Sequence, residues 1–462
     1  MNQLNIGVNS SILREYDIRG IVGDTFLLRD GYNIGRAFGS MLLECGGKSV
    51  SVGYDGRLSS PEIENQIVKG LSSTGLKVFR IGLGPSPMLY FSMYSLKVDA
   101  GVMITGSHNP PEYNGIKMNM FGKAFFGDDI KELGIRCRTK NFIEGHGEVS
   151  SRVICNQYVS RLLSDYKGER SLRVAWDPGN GASCDILAKM VKGLPGDHFL
   201  INEIIDGTFP AHHPDPTIEK NLEQLKEVVE ANNCELGIAF DGDGDRIGVI
   251  DSHGRILWGD QLLVILAREV LLEEPGATII ADIKASMVFQ EEIERLGGTP
   301  FLWKSGHSHI KTKMIELVSP LAGEMSAHIF FKHRYYGYDD ALYTAIRLLS
   351  ILASGEKTLS KIYDELPKFV NTPEIRIDCP DDQKFVIVDK VHKRLRENGS
   401  FELNDIDGVR VSTEDGWWLL RASNTQPALV ARCESRTAEG LSRLKGNLIS
   451  LLSEFGVMLK SV

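Results

Sequence analysis

Three aspartates at i, i+2 and i+4 stand in the segment Asp241-Gly242-Asp243-Gly244-Asp245-Arg246. The alternating glycines let the chain curl so that the three carboxylates converge. Converging carboxylates repel one another unless a cation sits among them. Hard oxygen ligands select Mg²⁺ or Ca²⁺ over zinc, so Asp241, Asp243 and Asp245 are candidate metal ligands. The same aspartate spacing opens an EF-hand, but that loop needs glycine at its sixth position and glutamate at its twelfth. Arg246 and Ser252 stand there and exclude it. Arg246 does not suit an all-protein cation cage. It suits a cation shared with a phosphate, which a guanidinium grips bidentately.

A second segment, Thr105-Gly106-Ser107-His108-Asn109-Pro110-Pro111, follows the apolar run AGVMI at 100–104. Small residues and a hydroxyl at the C-terminal end of a strand are placed for chemistry in an α/β domain. A hydrolase elbow reads G-x-S-x-G. Gly106 and Asn109 flank Ser107 wrongly for that, which argues against a Ser-His-Asp hydrolase. Beside a metal loop, Ser107 suits a phosphate ester, whose charge of about −1.5 to −2 supplies an oxygen ligand to the cation. In Gly323-Glu324-Met325-Ser326-Ala327-His328, Glu324 and Ser326 at i and i+2 suit vicinal hydroxyls. Arg421-Ala422-Ser423-Asn424-Thr425-Gln426-Pro427 has the composition of an anion nest. Lys304-Ser305-Gly306-His307-Ser308-His309 adds a cation and two imidazoles, but no third ligand of matching spacing makes a zinc site of them.

Strand-like and helix-like stretches must position these loops. Residues 49–53, 78–81 and 100–104 read as strands, with a helix over 61–75 between the first two. That is the βαβ rhythm of a parallel or mixed sheet covered by helices. A polar stretch at 145–156 marks a boundary, and a helix is expected over 157–166. The rhythm restarts with strands at 172–176 and 236–240 and a helix at 221–231. A third unit begins near 251–255, with helices at 261–272 and 287–296 around a strand at 278–283. After Phe369 the pattern changes: a strand at 374–378, a helix at 382–397, strands at 409–412, 417–421 and 429–434, and a helix at 438–452. The expected fold is α/β: three similar units with mixed sheets, then a C-terminal α+β domain.

Composition agrees. A chain of 462 residues holds two to four domains at roughly 100–200 residues each. Its 42% hydrophobic and 24% charged residues are globular values. The net charge of −9 has the wrong sign for a nucleic-acid binder, so an anionic ligand must meet a local cationic cluster. Seven scattered cysteines, none in a C-x-x-C pair, read as free buried or partly buried thiols in a reducing compartment. The N-terminus lacks the parts of a signal peptide and no run of apolar residues is long enough to span a bilayer. The expected setting is the cytoplasm, with no nucleic-acid or membrane partner.

Six segments in order, Arg14-Glu15-Tyr16-Asp17-Ile18-Arg19-Gly20, Gly53-Tyr54-Asp55-Gly56-Arg57, the 105–110 loop, the 241–246 loop, the 323–328 loop and the 421–427 loop, resemble the α-D-phosphohexomutase superfamily over nearly the whole chain. Gly-Glu-Met-Ser at 323–326 is similar to its bacterial phosphomannomutase/phosphoglucomutase branch; phosphoglucosamine mutases, the alternative, usually carry Gln at the place of Met325. Ala327 departs from the pattern, which has glycine there. The resemblance implies four domains around a central cleft, at 1–150 (phosphoserine loop), 151–253 (metal loop), 254–368 (sugar loop) and 369–462 (phosphate loop). It implies interconversion of 1-phospho and 6-phospho forms of mannose or glucose through a phosphoserine and a hexose 1,6-bisphosphate, with one Mg²⁺ per chain and glucose 1,6-bisphosphate as activator. Ser107 would carry the phosphate and, with Asp241, Asp243 and Asp245, ligate the metal. Arg246 and Lys117 would steady the moving phosphoryl group beside His108, and His328 and Arg19, or Lys117, are candidate acid and base. Glu324 and Ser326 would bind sugar hydroxyls. Arg421, Ser423, Asn424 and Thr425 would clamp the passive phosphate, with Tyr16, Lys284 and His307 lining the cleft. A monomer or weak oligomer is expected.

Overall fold

The computed structural model describes residues 8–398, 402–423 and 427–457. Its strands form four sheets, and the first three share one plan. In the first, Ser49–Tyr54 runs parallel to Lys77–Leu83 on one side and to Ala100–Ile104 on the other, and Tyr113–Met120 returns antiparallel. In the second, Leu172–Asp177 lies parallel to Gly196–Leu200 and Leu236–Phe240, and Ile247–Asp251 returns antiparallel. In the third, Thr278–Asp282 lies parallel to Thr299–Trp303 and Leu321–Gly323, and Ile329–Phe331 returns antiparallel. The expected repetition is therefore a repetition of topology. The chemistry-bearing loops join antiparallel strands in each of these sheets.

The apolar runs become strands because both their faces are covered. Ala100–Ile104 and Leu236–Phe240 are buried at every position, so they need no polar alternation. The expected helix at 61–75 is Ser60–Ser72, with Pro61 in its first turn where a missing N–H costs nothing. Helix Ala341–Ser354 starts where the Asp340 carboxylate accepts the Tyr343 N–H. The second and third units share one continuous core, which also takes in Met88–Phe91 from the first. The first unit's other core, built on Val50, Val52, Ile63 and Ile67, is separate.

The C-terminal sheet is antiparallel around Gly416–Ala422 and Ala428–Ser435. Side chains of Gly416–Ala422 alternate between its faces. Trp418 and Leu420 pack under helices Asp381–Asn398 and Ala438–Ser453, whereas Trp417 and Leu419 pack on Ile283 of the third unit. Cysteines 137, 184, 234, 379 and 433 are buried free thiols, Cys155 is partly buried, and Cys45, contrary to expectation, is exposed. Among the described residues no helix is long and apolar enough to cross a membrane.

Candidate functional site

The loop after Ala100–Ile104 is moulded around a buried guanidinium. Arg57 donates to the carbonyls of Ser107 at 2.7 Å, Asn109 at 2.6 Å, Pro110 at 2.6 Å and Tyr113 at 3.0 Å. Its Nε donates to Asp55 at 3.2 Å, and the other face of that carboxylate group takes the Ser60 hydroxyl. Asp55 also accepts the Gly106 N–H at 3.1 Å. Glycine is required at 106, because a Cβ there would lie 2.4 Å from the guanidinium carbon. Ser107 sits at φ 50°, a left-handed conformation costly for a side-chain-bearing residue. Its hydroxyl lies 3.2 Å from Asp241 Oδ2 and 3.2 Å from His108 Nδ1. Arg19, on strand Ile18–Ile21 and paired with Asp17, donates to the Gly106 carbonyl at 2.7 Å and to Asn109.

Asp241, Asp243 and Asp245 are fully buried and offer ligand atoms that all lie within 4.8 Å of one another. Asp241 Oδ1 is fixed by the N–H groups of Asp245 and Arg246, each at 3.1 Å. Lys117 Nζ, from the return strand Tyr113–Met120, donates to Asp243 at 2.7 Å and to Asp245. The Ser86 hydroxyl donates to the same Asp243 oxygen. The loop carbonyls are gripped by two helix starts: Asp243 O accepts Ser86 N–H at 2.8 Å and Gly244 O accepts Ala341 N–H at 3.3 Å. Asp243 Oδ1 and Asp245 Oδ1 remain buried without a hydrogen-bond partner. Orphaned carboxylate oxygens beside a hydroxyl are the donor set of a hard divalent cation. The charges agree. Burial, with Asp245 and Asp243 alongside, pushes the Asp241 carboxyl well above its ordinary value. Burial acts the same way on Asp243, but Lys117 overrides it and holds Asp243 low. Burial opposes the charge of Lys117, and Asp243 and Asp245 outweigh it and raise the ammonium well above its usual value.

The third loop closes against the second through an isolated β-bridge between Arg246 and His328. Arg246 Nε donates to His328 Nε2 at 3.1 Å, and Asp215 stands 3.9 Å from Nη1. His328 Nδ1 faces Asp339 at 3.1 Å and Asp245 at 3.6 Å, and Asp339 is held by Lys311 at 3.0 Å. His307 stacks on His328 with ring centres 5.6 Å apart, and burial depresses its basicity, as it does that of His108. Glu324 Oε1 accepts the Gly306 N–H at 2.6 Å, while Oε2 is buried without a partner. Ala327 adopts φ 71°, which explains why glycine is the pattern there; the methyl is carried at a cost of about 1 kcal/mol.

At the far end, the Tyr16 hydroxyl donates to the Ser305 carbonyl at 2.9 Å and the Ser305 N–H donates to Asp407 at 3.0 Å. Asp407 takes Arg421 Nε at 3.0 Å and Nη2 at 3.3 Å. Lys284 lies 3.3 Å from Glu374 and 3.7 Å from Asp282. Ser423 is buried beside Arg421 and Ser326 is half-buried in the third loop. The sequence candidates Asn424 and Thr425 lie outside the described residues. His307 opens the helix His307–Leu317, and the other described sequence candidates fall on loops or strands bordering this one region. Sequence reasoning missed Ser86, Asp215, Lys311, Asp339 and Asp407, and assigned no task to Asp55 and Arg57. Asp407 in an Asp-Gly pair before a strand, Ser86 before Pro87 and Asp215 before Pro216 carried local turn signals, whereas Lys311 and Asp339 carried none.

Comparison with known proteins matches the chain in four successive segments. Models of the phosphoglucomutase/phosphomannomutase family match it in sequence: α/β/α domain I over residues 10–142, domain II over 156–254, domain III over 258–369 and the C-terminal domain over 374–450. A phosphomannomutase/phosphoglucomutase of Pseudomonas aeruginosa is 42% identical over 436 residues, 94% of either chain. A phosphoglucomutase of Neisseria meningitidis is 39% identical over 444 residues, 96% of either chain. The crystal structure of a phosphoglucomutase/phosphomannomutase family protein from Burkholderia thailandensis superposes with TM-score 0.92 at 40% identity, covering 97% of this chain and 98% of that one.

Proposed function

Because the chain belongs to the phosphoglucomutase/phosphomannomutase family of the α-D-phosphohexomutase superfamily, we propose that it interconverts the 1-phospho and 6-phospho forms of mannose and glucose through a phosphoserine at Ser107. The observation that carries this reading is the meeting of two domains at one point. The Ser107 hydroxyl, on a loop scaffolded by the first unit, lies 3.2 Å from Asp241 of the second.

Phosphoryl transfer is mostly positioning and charge neutralisation. In the forward half-reaction a sugar hydroxyl oxygen bonds to phosphorus, the bond from phosphorus to Ser107 Oγ breaks with its electron pair on Oγ, Oγ takes up a proton so that Ser107 regains its hydroxyl, and the sugar hydroxyl proton passes to a neighbouring base. His328, Arg19 and Lys117 border the place where that proton leaves. Arg246 and Lys117 face the moving group with positive charge. Asp241, Asp243, Asp245 and the seryl phosphate would hold Mg²⁺, which supplies further neutralisation of the transferring phosphoryl oxygens. Glu324 and Ser326 bind the sugar hydroxyls, and Arg421, Ser423, Asn424 and Thr425 clamp the passive phosphate. The bisphosphate then turns over and returns its other phosphate to Ser107. A remote clamp turns binding energy into alignment at the reacting centre.

Ser107→Ala is expected to lower kcat by orders of magnitude with the circular-dichroism spectrum unchanged; full activity in that variant would end the phosphoserine assignment. Activity should vanish in excess EDTA, return with Mg²⁺ and rise with a trace of glucose 1,6-bisphosphate. Parallel rates on mannose 1-phosphate, glucose 1-phosphate and glucosamine 1-phosphate separate this reading from an aminosugar mutase. We also place the protein in the cytoplasm as a monomer or weak oligomer; its seven unpaired cysteines suit a reducing compartment.

A further inference from the structure

The distal clamp contains an acid that its task does not require. An anion-binding loop gains nothing from a carboxylate, yet Asp407 is built into this one. Gly408 adopts φ 87° and packs directly on Arg421: a Cβ there would lie 2.6 Å from Arg421 Cβ and 2.4 Å from the Leu420 carbonyl. The close turn delivers the Asp407 carboxylate to the edge of the guanidinium. Oδ2 accepts from Nε at 3.0 Å and Oδ1 from Nη2 at 3.3 Å. Both side chains are largely removed from solvent, at 8% exposure for Arg421 and 15% for Asp407. A guanidinium carries five N–H donors in one plane. Asp407 takes two of them on one edge, and planarity turns the Nη1 edge away from it.

The same carboxylate oxygen that holds Nε also accepts the Ser305 N–H of the third unit at 3.0 Å. Ser305 is itself a junction. Its carbonyl takes the Tyr16 hydroxyl of the first unit, and its hydroxyl donates to Asp282 at 3.0 Å. The neighbouring Gly306 N–H binds Glu324 of the sugar loop. One carboxylate therefore fixes the direction of Arg421 and the distance between the C-terminal loop and the loops opposite.

We propose that Asp407 is a positioning residue of the phosphate clamp: it holds Arg421 by its Nε–Nη2 edge and ties it to Ser305, so that the opposite, Nη1-bearing edge meets the passive phosphate in a fixed place. The inference rests on the assignment of Arg421 to that phosphate. A pre-aimed guanidinium loses less rotamer freedom on binding than a free one. In a mutase it also retains the bisphosphate during its turn. Asp407 touches neither the sugar nor the reacting atoms.

The test uses the full chain with Asp407→Asn and Asp407→Ala, and Asp405→Asn as a control. Asp405 lies two residues away, but its carboxylate pairs with Arg396 and His392 on the surface. KM for glucose 1-phosphate is expected to rise about tenfold in both Asp407 variants. The glucose 1,6-bisphosphate needed for half-maximal activity should rise in step, while kcat at saturation stays within about threefold and the control matches wild type. Calorimetric binding of glucose 1-phosphate should weaken by the same factor. A folded Asp407→Asn with unchanged KM and unchanged bisphosphate requirement would overturn the proposal. A rise in KM shared by Asp405→Asn would equally count against it. An inactive wild type that still binds glucose 1-phosphate would instead refute the mutase reading. Should Asp407→Ala fail to fold, the near-isosteric Asn variant decides alone.

Discussion

At the scale of single residues, the site depends on a buried cation that never meets the substrate. Arg57 is fully buried, and its guanidinium satisfies four carbonyls of the serine loop. Burial lowers the basicity of this group, and Asp55 partly restores it. A lysine offers three donors on a point charge in place of the planar fork. Arg57→Lys therefore leaves carbonyls of the loop unpaired, at about 1–3 kcal/mol for each one that water cannot reach. The Ser107 backbone at φ 50° then loses the contacts that enforce it. A displacement of about 1 Å at a reacting group costs about a hundredfold in rate. Arg57→Lys is accordingly expected to lower kcat about a hundredfold while KM moves little, because the distal clamp is untouched. Steady-state kinetics check this, with intact-mass measurement of Ser107 phosphorylation after incubation with bisphosphate. A kcat within threefold of wild type would show that the loop keeps its shape without the fork.

At the scale of elements, the three loops are one structural position used three times. Each connects the third strand of its sheet to an antiparallel return, so repeats of one topology present serine, aspartates and glutamate to a common space. Each central strand also ends in a buried aspartate, Asp55, Asp177 and Asp282. Asp55 and Asp282 bind an N–H of their chemical loop, at Gly106 and Met325. Asp177 instead holds His212, on the long connection after Gly196–Leu200, with Oδ2 2.8 Å from Nε2. His212 Nδ1 lies 3.0 Å from the His213 carbonyl. Both ring nitrogens face atoms that only accept, an arrangement that favours the imidazolium. Burial works against that charge, and Asp177 overcomes it and raises the pKa above 6.5. A raised folded value means that the stabilisation is complete below the ordinary histidine range and fades as pH climbs through the raised value. His212→Gln is expected to lose about 1–2 kcal/mol at pH 6 and progressively less toward pH 9. Urea titrations at both ends of that range check the sign; a deficit that grows with pH would contradict the imidazolium. The aspartate and serine loops were legible in the sequence because glycines and a run of one chemistry sit within a few residues. The return strand Tyr113–Met120 was not, because Asn114, Lys117 and Asn119 are buried polar residues that break any alternation. Ser86 and Asp339 were hidden for a related reason. Ser86 meets Asp243 of another unit across 157 positions of sequence, and Asp339 draws Lys311 and His328 from separate elements of its own unit.

At the scale of the whole molecule, the cores set how the cleft opens. The second and third units share one apolar core, so neither unfolds without the other. The C-terminal domain has its own core and meets the third unit through a small patch of Ile283, Trp417 and Leu419. The rest of that interface is polar. Arg410 donates to the carbonyls of Ile283 and Ala285, Arg432 to that of Lys284, and Glu434 accepts from Trp417 and from the Met287 N–H. Buried charged groups hydrogen-bonded in this way lose much of what the bonds return to the cost of leaving water. Urea is therefore expected to unfold the C-terminal domain before the shared core, and one two-state curve will not describe the chain. Trp417 and Trp418 lie in that domain, while far-ultraviolet dichroism reports on all four sheets. Because Trp176, Trp258 and Trp303 lie in the second and third units, fluorescence should move in two steps, with the share from Trp417 and Trp418 changing at lower urea than the bulk of the dichroism. Under the proposed function, glucose 1,6-bisphosphate would be held by the clamp at one end and the serine loop at the other, and would bind only when all four loops face one another. At a hundred times its Kd it adds about 2.7 kcal/mol to that closed arrangement, which is enough to bring the two transitions together. Coincident fluorescence and dichroism curves without ligand would mean that the polar interface binds as tightly as a core. Curves that stay apart with saturating bisphosphate would mean that the ligand does not bridge the cleft.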